Sequence, residues 1–320
     1  MSQIVQCVPN ISEGKDIHKI ERIIKPLQNQ EGFKLISYEP DQDYNRTVIT
    51  LIGNPQKMIE PLLNFYQKAL EEIDLNHHKG EHPRMGAVDV CPFIPIQHVT
   101  MEDCIFYAKT FGRLLNERLN IPVFLYAMAA QRDNRILLPD IRKGEFEGMK
   151  EKIQEEAWYP DYGKPMIHET FGVAAIGARM PLIAYNIDLD TDNEKTARQI
   201  AKYLRGSSGG FQYVQAGPAY LKERQHVQVT MNILDYEKNA MYRIFELVKI
   251  EAKRFHVEVA SSEIVGLVPK DALLDSIKYY QKANHEVFNK DMEINEIVKL
   301  AIKYLKLRDF DIDKIIEANL

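Results

Sequence analysis

A histidine-rich segment from His77 to Gly86 concentrates side chains suited to acid/base chemistry. It reads His-His-Lys-Gly-Glu-His-Pro-Arg-Met-Gly, so three imidazoles, one carboxylate and two cations lie within ten residues. Histidine exchanges protons near neutral pH because its unperturbed pKa is about 6.5, and Lys79 and Arg84 are suited to binding anions. This composition predicts acid/base work on a negatively charged substrate. The plainer alternative is a solvated polar loop.

The same segment also matches a zinc-protease pattern. Residues 78–82 have the spacing H-x-x-E-H, in which two histidines one helical turn apart bind metal and the glutamate acts as base. That arrangement needs a helix, but Gly80 costs about 1 kcal/mol relative to alanine and Pro83 biases His82 away from helical geometry. We therefore expect an irregular loop, no metal, and one imidazole aimed into a cleft. The remote alternative is a zinc hydrolase that uses His78, Glu81 and His82.

Overall composition limits the class of protein and its partners. A length of 320 residues leaves room for two domains, and 45% hydrophobic with 27% charged residues is ordinary for a globular chain. A net charge of -5 and a pI near 6.0 argue against nucleic acid as the main partner, because such binding needs a basic face. Local basic residues must then bind any anion.

The three cysteines and the apolar runs bear on the compartment. Cys7, Cys91 and Cys104 are odd in number and form no C-x-x-C pair, so neither a disulfide framework nor a cysteine metal site is predicted. The first ten residues contain no export signal, and there is no run of about 18 apolar residues. We therefore expect a cytoplasmic protein without a membrane span.

The elements that must position these side chains follow one order twice. Apolar periodicity predicts strand, helix, strand, strand, helix and strand in each half. In the first half these elements lie at 3–9, 17–27, 33–38, 46–52, 55–75 and 87–96. In the second half they lie at 182–187, 192–204, 211–216, 227–234, 237–255 and 264–267. The repeat predicts an α+β protein of two ferredoxin-like (βαββαβ) subdomains with extra helices and a cleft between them, divided as residues 1–178, which carry the histidine segment, and 179–320.

Several further segments connect or extend the two halves. A helix over 100–119, a strand over 121–126 and a charged helix over 140–157 extend the first half. Residues 160–181 are rich in Gly and Pro and are predicted to contain the crossing between the halves. Residues 205–210 resemble a phosphate loop, but they lack its lysine and follow a helix, so a flexible turn is predicted. Helices at 271–282, 293–305 and 312–317 end the chain.

Four segments of the chain resemble one enzyme family. Residues 7–14 (CVPNISEG), 45–48 (NRTV), 78–95 (HKGEHPRMGAVDVCPFIP) and 266–269 (GLVP) look like glutamate formiminotransferase, the transferase half of formiminotransferase-cyclodeaminase. The resemblance covers nearly the whole chain and is strongest through residues 78–95. A match of that length is far more specific than a five-residue metal pattern.

The resemblance implies a reaction and its partners. A formimino group would move between 5-formimino-tetrahydrofolate and L-glutamate, forming N-formimino-L-glutamate and tetrahydrofolate, in histidine degradation. Tetrahydrofolate would be a co-substrate, and no metal is implied. Some stand-alone members of the family use 5-formyl-tetrahydrofolate, and the sequence does not separate the two donors. A homodimer is implied, and deamination of the product would fall to a separate cyclodeaminase because the chain ends at Leu320.

The resemblance also assigns roles near the histidine segment. His82 corresponds to the catalytic histidine, which would take a proton from the attacking amine and return it to the leaving nitrogen. A carboxylate in the turn before residue 45 would orient that imidazole. The family has aspartate at Glu39, so Asp41 or Asp43 are alternatives. Asn45 and Arg46 would hold a substrate carboxylate.

Folate contacts are implied for a second group of residues. The family's glycine-rich folate segment corresponds to residues 163–172, where Gly163, Phe171 and Gly172 match while Lys164 to Thr170 diverge. Glycine lets backbone approach a flat pterin, and an aromatic ring could stack on it. Lys79 and Arg84 are the expected cations for the anionic folate and glutamate. The remaining folate candidates are Lys164, Gly177 and Arg179, the last for the glutamyl tail.

Overall fold

The fold is taken from a computed structural model that describes residues 3–221 and 224–320. The chain divides into two compact units, Met1–Arg179 and Met180–Leu320. Each unit combines helices with one β-sheet, so the predicted α+β class is confirmed. Within the described ranges, we find no helix with the length and apolar character needed to cross a membrane.

The first unit is built on a seven-stranded mixed sheet. Its strands are β1 (Ile4–Cys7), β2 (Asn10–Ile11), β3 (Phe33–Asp41), β4 (Arg46–Gly53), β5 (Val88–Gln97), β6 (Val123–Ala127) and β7 (Ala174–Ala178). They lie in the order β1-β4-β2-β5-β7-β6, and β3 pairs with β4. The pairs β5–β7 and β6–β7 are parallel, whereas the other pairs are antiparallel. This pairing places the first residues of β4 and of β5 beside β2.

Local signals in the sequence set the helices of the first unit. They are α1 (Ile17–Ile24), α2 (Pro55–Glu72), α3 (Met101–Leu119), α4 (Leu138–Arg142) and α5 (Glu145–Lys152). The side chain of Asn54 caps α2, with proline at the first helical position. Thr100 and Asp103 form a reciprocal capping box at the start of α3. These starts agree with the predicted helices.

The structure departs from prediction in two places in this unit. Within the predicted crossing segment 160–181, residues Ala174–Ala178 form the buried strand β7 between β5 and β6. Its sequence of alanine, isoleucine and glycine has low strand propensity, so burial between two neighbours rather than intrinsic preference forms it. The predicted helix over 140–157 is divided into α4 and α5, because Gly144 adopts a φ of 93° and Glu145 a φ of 55°.

An aromatic cluster forms the centre of the first core. The ring of Tyr66 lies 5.4 Å from that of Phe111, and Phe93 lies 6.1 Å from Phe111. Cys7 and Cys91 are buried beside this cluster, with their Sγ atoms 3.4 Å apart and both thiols free. Burial and the neighbouring thiol raise the pKa of Cys7. Cys104 is also free and buried.

The second unit contains a four-stranded antiparallel sheet. Its strands are β8 (Ile183–Leu189), β9 (Val214–Leu221), β10 (His226–Ile233) and β11 (Val259–Val265), in the order β11-β8-β10-β9. Its helices are α6 (Glu194–Leu204), α7 (Met241–Arg254), α8 (Lys270–Ala283) and α9 (Ile294–Leu305). The elements follow in the predicted order. The predicted helix over 312–317 is instead two short 3-10 turns, Ile312–Lys314 and Ile316–Asn319.

One face of the second sheet carries a polar network. Gln228 on β10 donates to Asp188 Oδ1 and to Glu263 Oε1, both at 2.7 Å. Ser261 and Arg308 donate to Asp188 Oδ2 at 2.6 and 3.0 Å. Asp188 is only 1% exposed, so these bonds satisfy a buried carboxylate. The network fixes the strands β8, β10 and β11 in register.

Candidate active site

The histidine segment is an irregular loop, as predicted. Helix α2 ends at Glu72, and β5 begins at Val88. The loop runs beside residues 170–173, since the Leu75 and Ala87 N–H groups donate to Thr170 and Phe171 carbonyls at 2.9 and 2.8 Å. A side chain on Gly86 would collide with the Val173 carbonyl, so the glycine permits this close approach. The helix required by the zinc alternative is absent from this loop.

His82 is a buried imidazole within this loop. The residue is 9% exposed, and its backbone N–H donates to the Tyr44 carbonyl at 3.4 Å. The Tyr44 ring lies edge-on to the imidazole, with ring centres 6.4 Å apart. Burial, followed by the charges of Arg142 and Arg46, lowers the pKa of His82 to about 4, while Asp89 acts in the opposite sense. At neutral pH the imidazole is therefore uncharged and able to accept a proton.

His78 connects the loop to the β3–β4 turn. Its Nδ1 accepts a bond of 3.2 Å from Arg84 Nε, so its Nε2 carries the proton and donates to the Asn45 carbonyl at 2.9 Å. Burial lowers the pKa of His78, which favours this neutral form. Both ring nitrogens are thus occupied. Across residues 3–221 and 224–320, no three His, Cys, Asp or Glu side chains are grouped as metal ligands would be.

Asn45 joins three segments that are distant in the sequence. It adopts a left-handed backbone with a φ of 49°, a conformation that asparagine tolerates better than most residues. Its Oδ1 accepts from the Gly14 N–H and its Nδ2 donates to the Lys79 carbonyl, both at 2.9 Å. Added side chains on Gly14 or Gly80 would collide with this turn. The motif around residue 14, the turn and the histidine loop therefore meet at Asn45.

Arg46 follows directly and presents a cation beside His82. Its guanidinium lies 5.7 Å from the centre of the Tyr44 ring. The Nε atom is buried, and no hydrogen-bond partner for it occurs in the part of the chain that the structure describes. Burial and the charge of Arg142 lower the pKa of Arg46, whereas Asp41 acts in the opposite sense. Such an orphan donor is suited to an anionic ligand.

Two charged residues that the sequence reasoning did not single out complete the site. Arg142, the last residue of α4, donates from Nε and Nη2 to Asp89 Oδ2 at 2.8 and 2.5 Å. The other oxygen of Asp89 accepts from the Met85 N–H at 2.8 Å. The signal for Asp89 was an aspartate in the apolar run that begins β5, inside the resembling segment 78–95. No comparable sequence signal marks Arg142.

The acidic turn lies beside the site without a described bond to His82. Glu39 is exposed on β3 and accepts from Ser37 Oγ at 3.3 Å. Asp41 accepts from the Tyr44 N–H at 2.9 Å and pairs in register with Arg46. Asp43 is exposed. Within the described ranges, Asp89 is therefore the carboxylate whose charge acts on His82.

The two cations predicted from the loop have different surroundings. Arg84 is 7% exposed and forms ion pairs with Glu147 at 2.6 Å and Glu145 at 3.1 Å. These glutamates hold the pKa of Arg84 above its usual range and fix the guanidinium beside His78. Lys79 is exposed, and its carbonyl accepts from Asn45. Arg84 thus supports the loop, while Lys79 is open to solvent.

The folate candidates of this part of the chain lie before, within and just after β7. Gly163 and Lys164 are exposed, and Gly163 has a φ of 105°. Phe171 is fully buried and stacks on Tyr66 with ring centres 6.0 Å apart, so its ring belongs to the core. The remaining candidates are placed by backbone contacts. Gly172 packs on the Met85 carbonyl, Gly177 on the Tyr126 ring, and the Arg179 N–H donates to the Phe93 carbonyl at 3.2 Å.

The geometry of these residues defines a class of site. A neutral, buried imidazole lies near two arginines, one of which has a buried N–H without a hydrogen-bond partner among the residues that the structure describes. Such a site is suited to proton transfer on a ligand that carries carboxylates.

Comparisons with known proteins identify the family. The model described as the formiminotransferase domain, N-terminal subdomain, matches residues 4–179, and that of the formiminotransferase domain matches residues 184–318. The glutamate formimidoyltransferase of Streptococcus pyogenes serotype M1 is 44% identical over 93% of this chain and 100% of its own. The Thermoplasma acidophilum protein of the same name is 43% identical over 88% of this chain and 93% of its own. The chain belongs to the formiminotransferase family.

A longer relative has a name that combines two activities. The formimidoyltransferase-cyclodeaminase of Mus musculus is 43% identical over 88% of this chain. The match covers 53% of the mouse protein, so this chain spans about half of its length.

Proposed function

We propose that this protein transfers a formimino group between nitrogen 5 of tetrahydrofolate and the amine of L-glutamate, in histidine degradation. Membership of the formiminotransferase family supports this activity, as do relatives named glutamate formimidoyltransferase that align over nearly their whole length. The observation that carries the proposal is the buried, neutral His82 beside Arg46 and Arg142. It supplies the base and the cations that a transfer between an amine and an anionic partner requires.

The reaction needs one proton acceptor that can also donate. The attacking nitrogen forms a bond to the formimino carbon and must lose a proton, and the carbon–nitrogen bond to the leaving amine breaks as that amine gains one. His82 performs both steps in turn, first as base and then as acid. Its uncharged state at neutral pH suits the first step. No metal or redox group is required for this exchange.

Arg46 is proposed to hold a carboxylate of glutamate. Its buried Nε lacks a hydrogen-bond partner in the described chain, and a carboxylate oxygen would satisfy it. Asn45 has its amide committed to Gly14 and Lys79, so its role is to fix the turn from which Arg46 projects. Of the acidic candidates, Asp41 is the one whose charge acts on Arg46, whereas Glu39 is exposed.

The folate assignment follows the family resemblance and the exposure of the residues. Gly163 and Lys164 are exposed and open to a ligand, and Lys79 supplies a further exposed cation for the glutamyl carboxylates. Gly172 and Gly177 would contribute through close-packed backbone, and Arg179 through its position after β7. Arg84 and Phe171 would support the site from within, because the first is held by glutamates and the second lies in the core.

Larger-scale features are part of the same proposal. We propose that residues 1–178 and 179–320 act as two ferredoxin-like subdomains, supported by the β-α-β-β-α-β order in the second unit. A cytoplasmic homodimer is proposed on family resemblance. A cyclodeaminase is proposed as functional partner, because the mouse relative carries both names.

A parallel assay of donors and acceptors tests the activity. Purified protein is mixed with 5-formimino- or 5-formyl-tetrahydrofolate, each with L-glutamate, L-aspartate or L-glutamine, and absorbance reports loss of the folate adduct. The formimino donor with glutamate should give the highest kcat/KM. A higher kcat/KM for the formyl donor would reassign the protein as a formyltransferase. Transfer with neither donor, or zinc at one equivalent with loss of activity to a chelator, would reject the proposal.

A further inference from the structure

Arg142 reaches the site from α4 and is held there by a buried carboxylate. Its Nε and Nη2 donate to Asp89 Oδ2, so Nη1 lies outside this pair. The side chain of Arg142 is 16% exposed and that of Asp89 is 2% exposed. The bond from Met85 N–H to Asp89 ties the carboxylate to the histidine loop. Arg142 is therefore fixed in position yet still accessible to a ligand.

Arg46 is a second cation near the first, because Ile11 of β2 pairs with both Thr47 of β4 and Val88 of β5, the neighbours of Arg46 and Asp89 in the sequence. Burial lowers the pKa of Arg46 and the charge of Arg142 adds to this, whereas Asp41 and Asp89 act in the opposite sense. The nearby carboxylates are already engaged, since Asp89 binds Arg142 and Asp41 accepts from the Tyr44 N–H. The buried Nε of Arg46 meanwhile has no partner within the described ranges. An anion bound here would relieve the repulsion and satisfy the orphan N–H.

We propose that Arg142 and Arg46 form a paired-arginine site that takes one carboxylate of glutamate. Bound there, the carboxylate would add a negative charge near the His82 imidazole and favour its protonated form. The inference rests on the proposed function and deepens it. It names Arg142 as a specificity residue and Asp89 as the residue that positions it. It also explains why an acid/base group would lie close to two cations, which otherwise disfavour a protonated imidazole.

The charges that face His82 come from several elements. Arg142 and Arg46 oppose protonation, as His78 would in its charged form, and among the described residues Asp89 favours it. Burial adds to the opposition, so the pKa of His82 lies at about 4 in the free protein. A carboxylate placed beside both arginines adds a negative charge within range of the imidazole and shifts the balance toward protonation. The proton taken from the attacking amine can then stay on His82 until the leaving nitrogen needs it.

Titration of His82 by NMR tests this directly. The protein is labelled with carbon-13 at histidine Cε1, and the His82 signal is assigned by its loss in His82→Gln. The probe is glutarate, a dicarboxylate without the reactive amine, and the control ligand is the neutral glutaramide. Glutarate should raise the pKa of His82 in the wild type, and glutaramide should not. No change with saturating glutarate would overturn the proposal.

Variants at Arg142 separate its charge from its structural role. Arg142→Gln should raise the pKa of His82 in the free protein and should weaken the response to glutarate, while Arg142→Lys should restore part of both. Should Arg142→Gln alone fail to fold because Asp89 is left unpaired, the double variant Asp89→Asn/Arg142→Gln removes both charges together. The double variant should still raise the pKa of His82, because Arg142 has a larger effect on this pKa than Asp89 has. Titration unchanged from wild type in these variants would contradict the inference.

Steady-state kinetics provide the second readout. Arg142→Gln should raise the KM for glutamate roughly 10- to 100-fold, since one charge-assisted hydrogen bond is lost. Arg113→Gln, which removes an exposed arginine paired with Glu117 on α3, is the matched control and should leave KM unchanged. An unchanged KM in Arg142→Gln would count against the site. Absence of any transfer by the wild type would reject the proposed function instead, because the NMR titration does not depend on turnover.

Discussion

The environment of His82 determines what this one residue can do. The same side chain on a solvated loop would be protonated in part at neutral pH, because its unperturbed pKa is about 6.5. Here burial and the charges of Arg142 and Arg46 act together to lower the pKa of His82, whereas the charge of Asp89 acts in the opposite sense. At neutral pH the residue is therefore uncharged and able to act as a base.

Removal of the imidazole should separate binding from chemistry. His82→Ala is expected to lower kcat by roughly 100- to 10,000-fold, because proton transfer would then depend on water. The affinity for tetrahydrofolate should remain close to that of the wild type, since the proposed folate contacts lie elsewhere. Steady-state kinetics and isothermal titration calorimetry measure the two effects. Near-full turnover by the variant would remove His82 from the mechanism.

His82 should also make the stability of the protein depend on pH. Its pKa is about 4 in the folded state and near 6.5 in the unfolded state, so the unfolded chain binds more protons between these values. The free energy of unfolding contributed by His82 is therefore fully present above pH 6.5 and is lost as pH falls toward about 4.

Urea unfolding at several pH values across this window measures the effect. In His82→Gln the free energy of unfolding should fall less steeply with decreasing pH than in the wild type. The exposed His18→Gln, on the surface of α1, serves as the matched control and should show the wild-type slope. Equal slopes in all three proteins would mean that His82 titrates alike in the folded and unfolded states.

Part of the candidate site could be predicted from the sequence, for physical reasons. His82, Asn45 and Arg46 lie in short segments whose residue types are themselves unusual, so they could be singled out. Arg142 could not, because its effect arises from an ion pair with Asp89, which lies 53 positions away. Side-chain pairs of this kind depend on tertiary packing that no local pattern encodes.

The histidine loop is held in place by close backbone packing as well as by side chains. A side chain on Gly86 would collide with the Val173 carbonyl, and one on Gly172 with the Met85 carbonyl. Gly172 also adopts a φ of 80°, which disfavours any other residue. These glycines allow the loop to pack closely against the chain that leads into β7, so the position of the loop depends on that of the strand.

A pair of glycine variants tests the importance of this packing. Gly86→Ala should destabilise the protein by about 2 kcal/mol or more and lower activity, because backbone must move to admit the methyl group. Gly148→Ala in α5 is the matched control, since nothing lies within 4 Å of the added atom. It should stabilise the helix by about 0.5–1 kcal/mol. Thermal unfolding gives both values, and a neutral Gly86→Ala would show that the loop can shift.

The elements themselves were predictable to different degrees. Helices α2 and α3 have proline, asparagine or a capping box at their starts, so their positions followed from local chemistry. Strand β7 has a sequence of mostly small residues and forms because β5 and β6 enclose it. The division between α4 and α5 depends on positive φ angles at Gly144 and Glu145, which a charged helical pattern conceals.

The residues of the candidate site all come from one of the two units. His82, Arg46, Arg142 and Asp89 all belong to the first unit, whereas the second presents a polar sheet face built around Asp188. The α+β class and the order of helices and strands could be predicted, because apolar residues recur every 2 residues in strands and every 3.6 residues in helices. The seven-stranded mixed sheet did not, because strand order depends on pairings between distant segments.

The positions of the three cysteines allow local unfolding of the first unit to be measured. Cys7, Cys91 and Cys104 are all buried free thiols, and all three lie in the first unit, so a thiol reagent can react only when that unit opens. Labelling by a disulfide reagent under native conditions should therefore be slow. Local unfolding that is confined to the second unit should not change its rate. Glutamate and tetrahydrofolate together should slow it further, as ligands that bind the closed state do. Mass spectrometry over a time course measures the rate of labelling. Rapid labelling of the native protein would show that the core of the first unit opens readily.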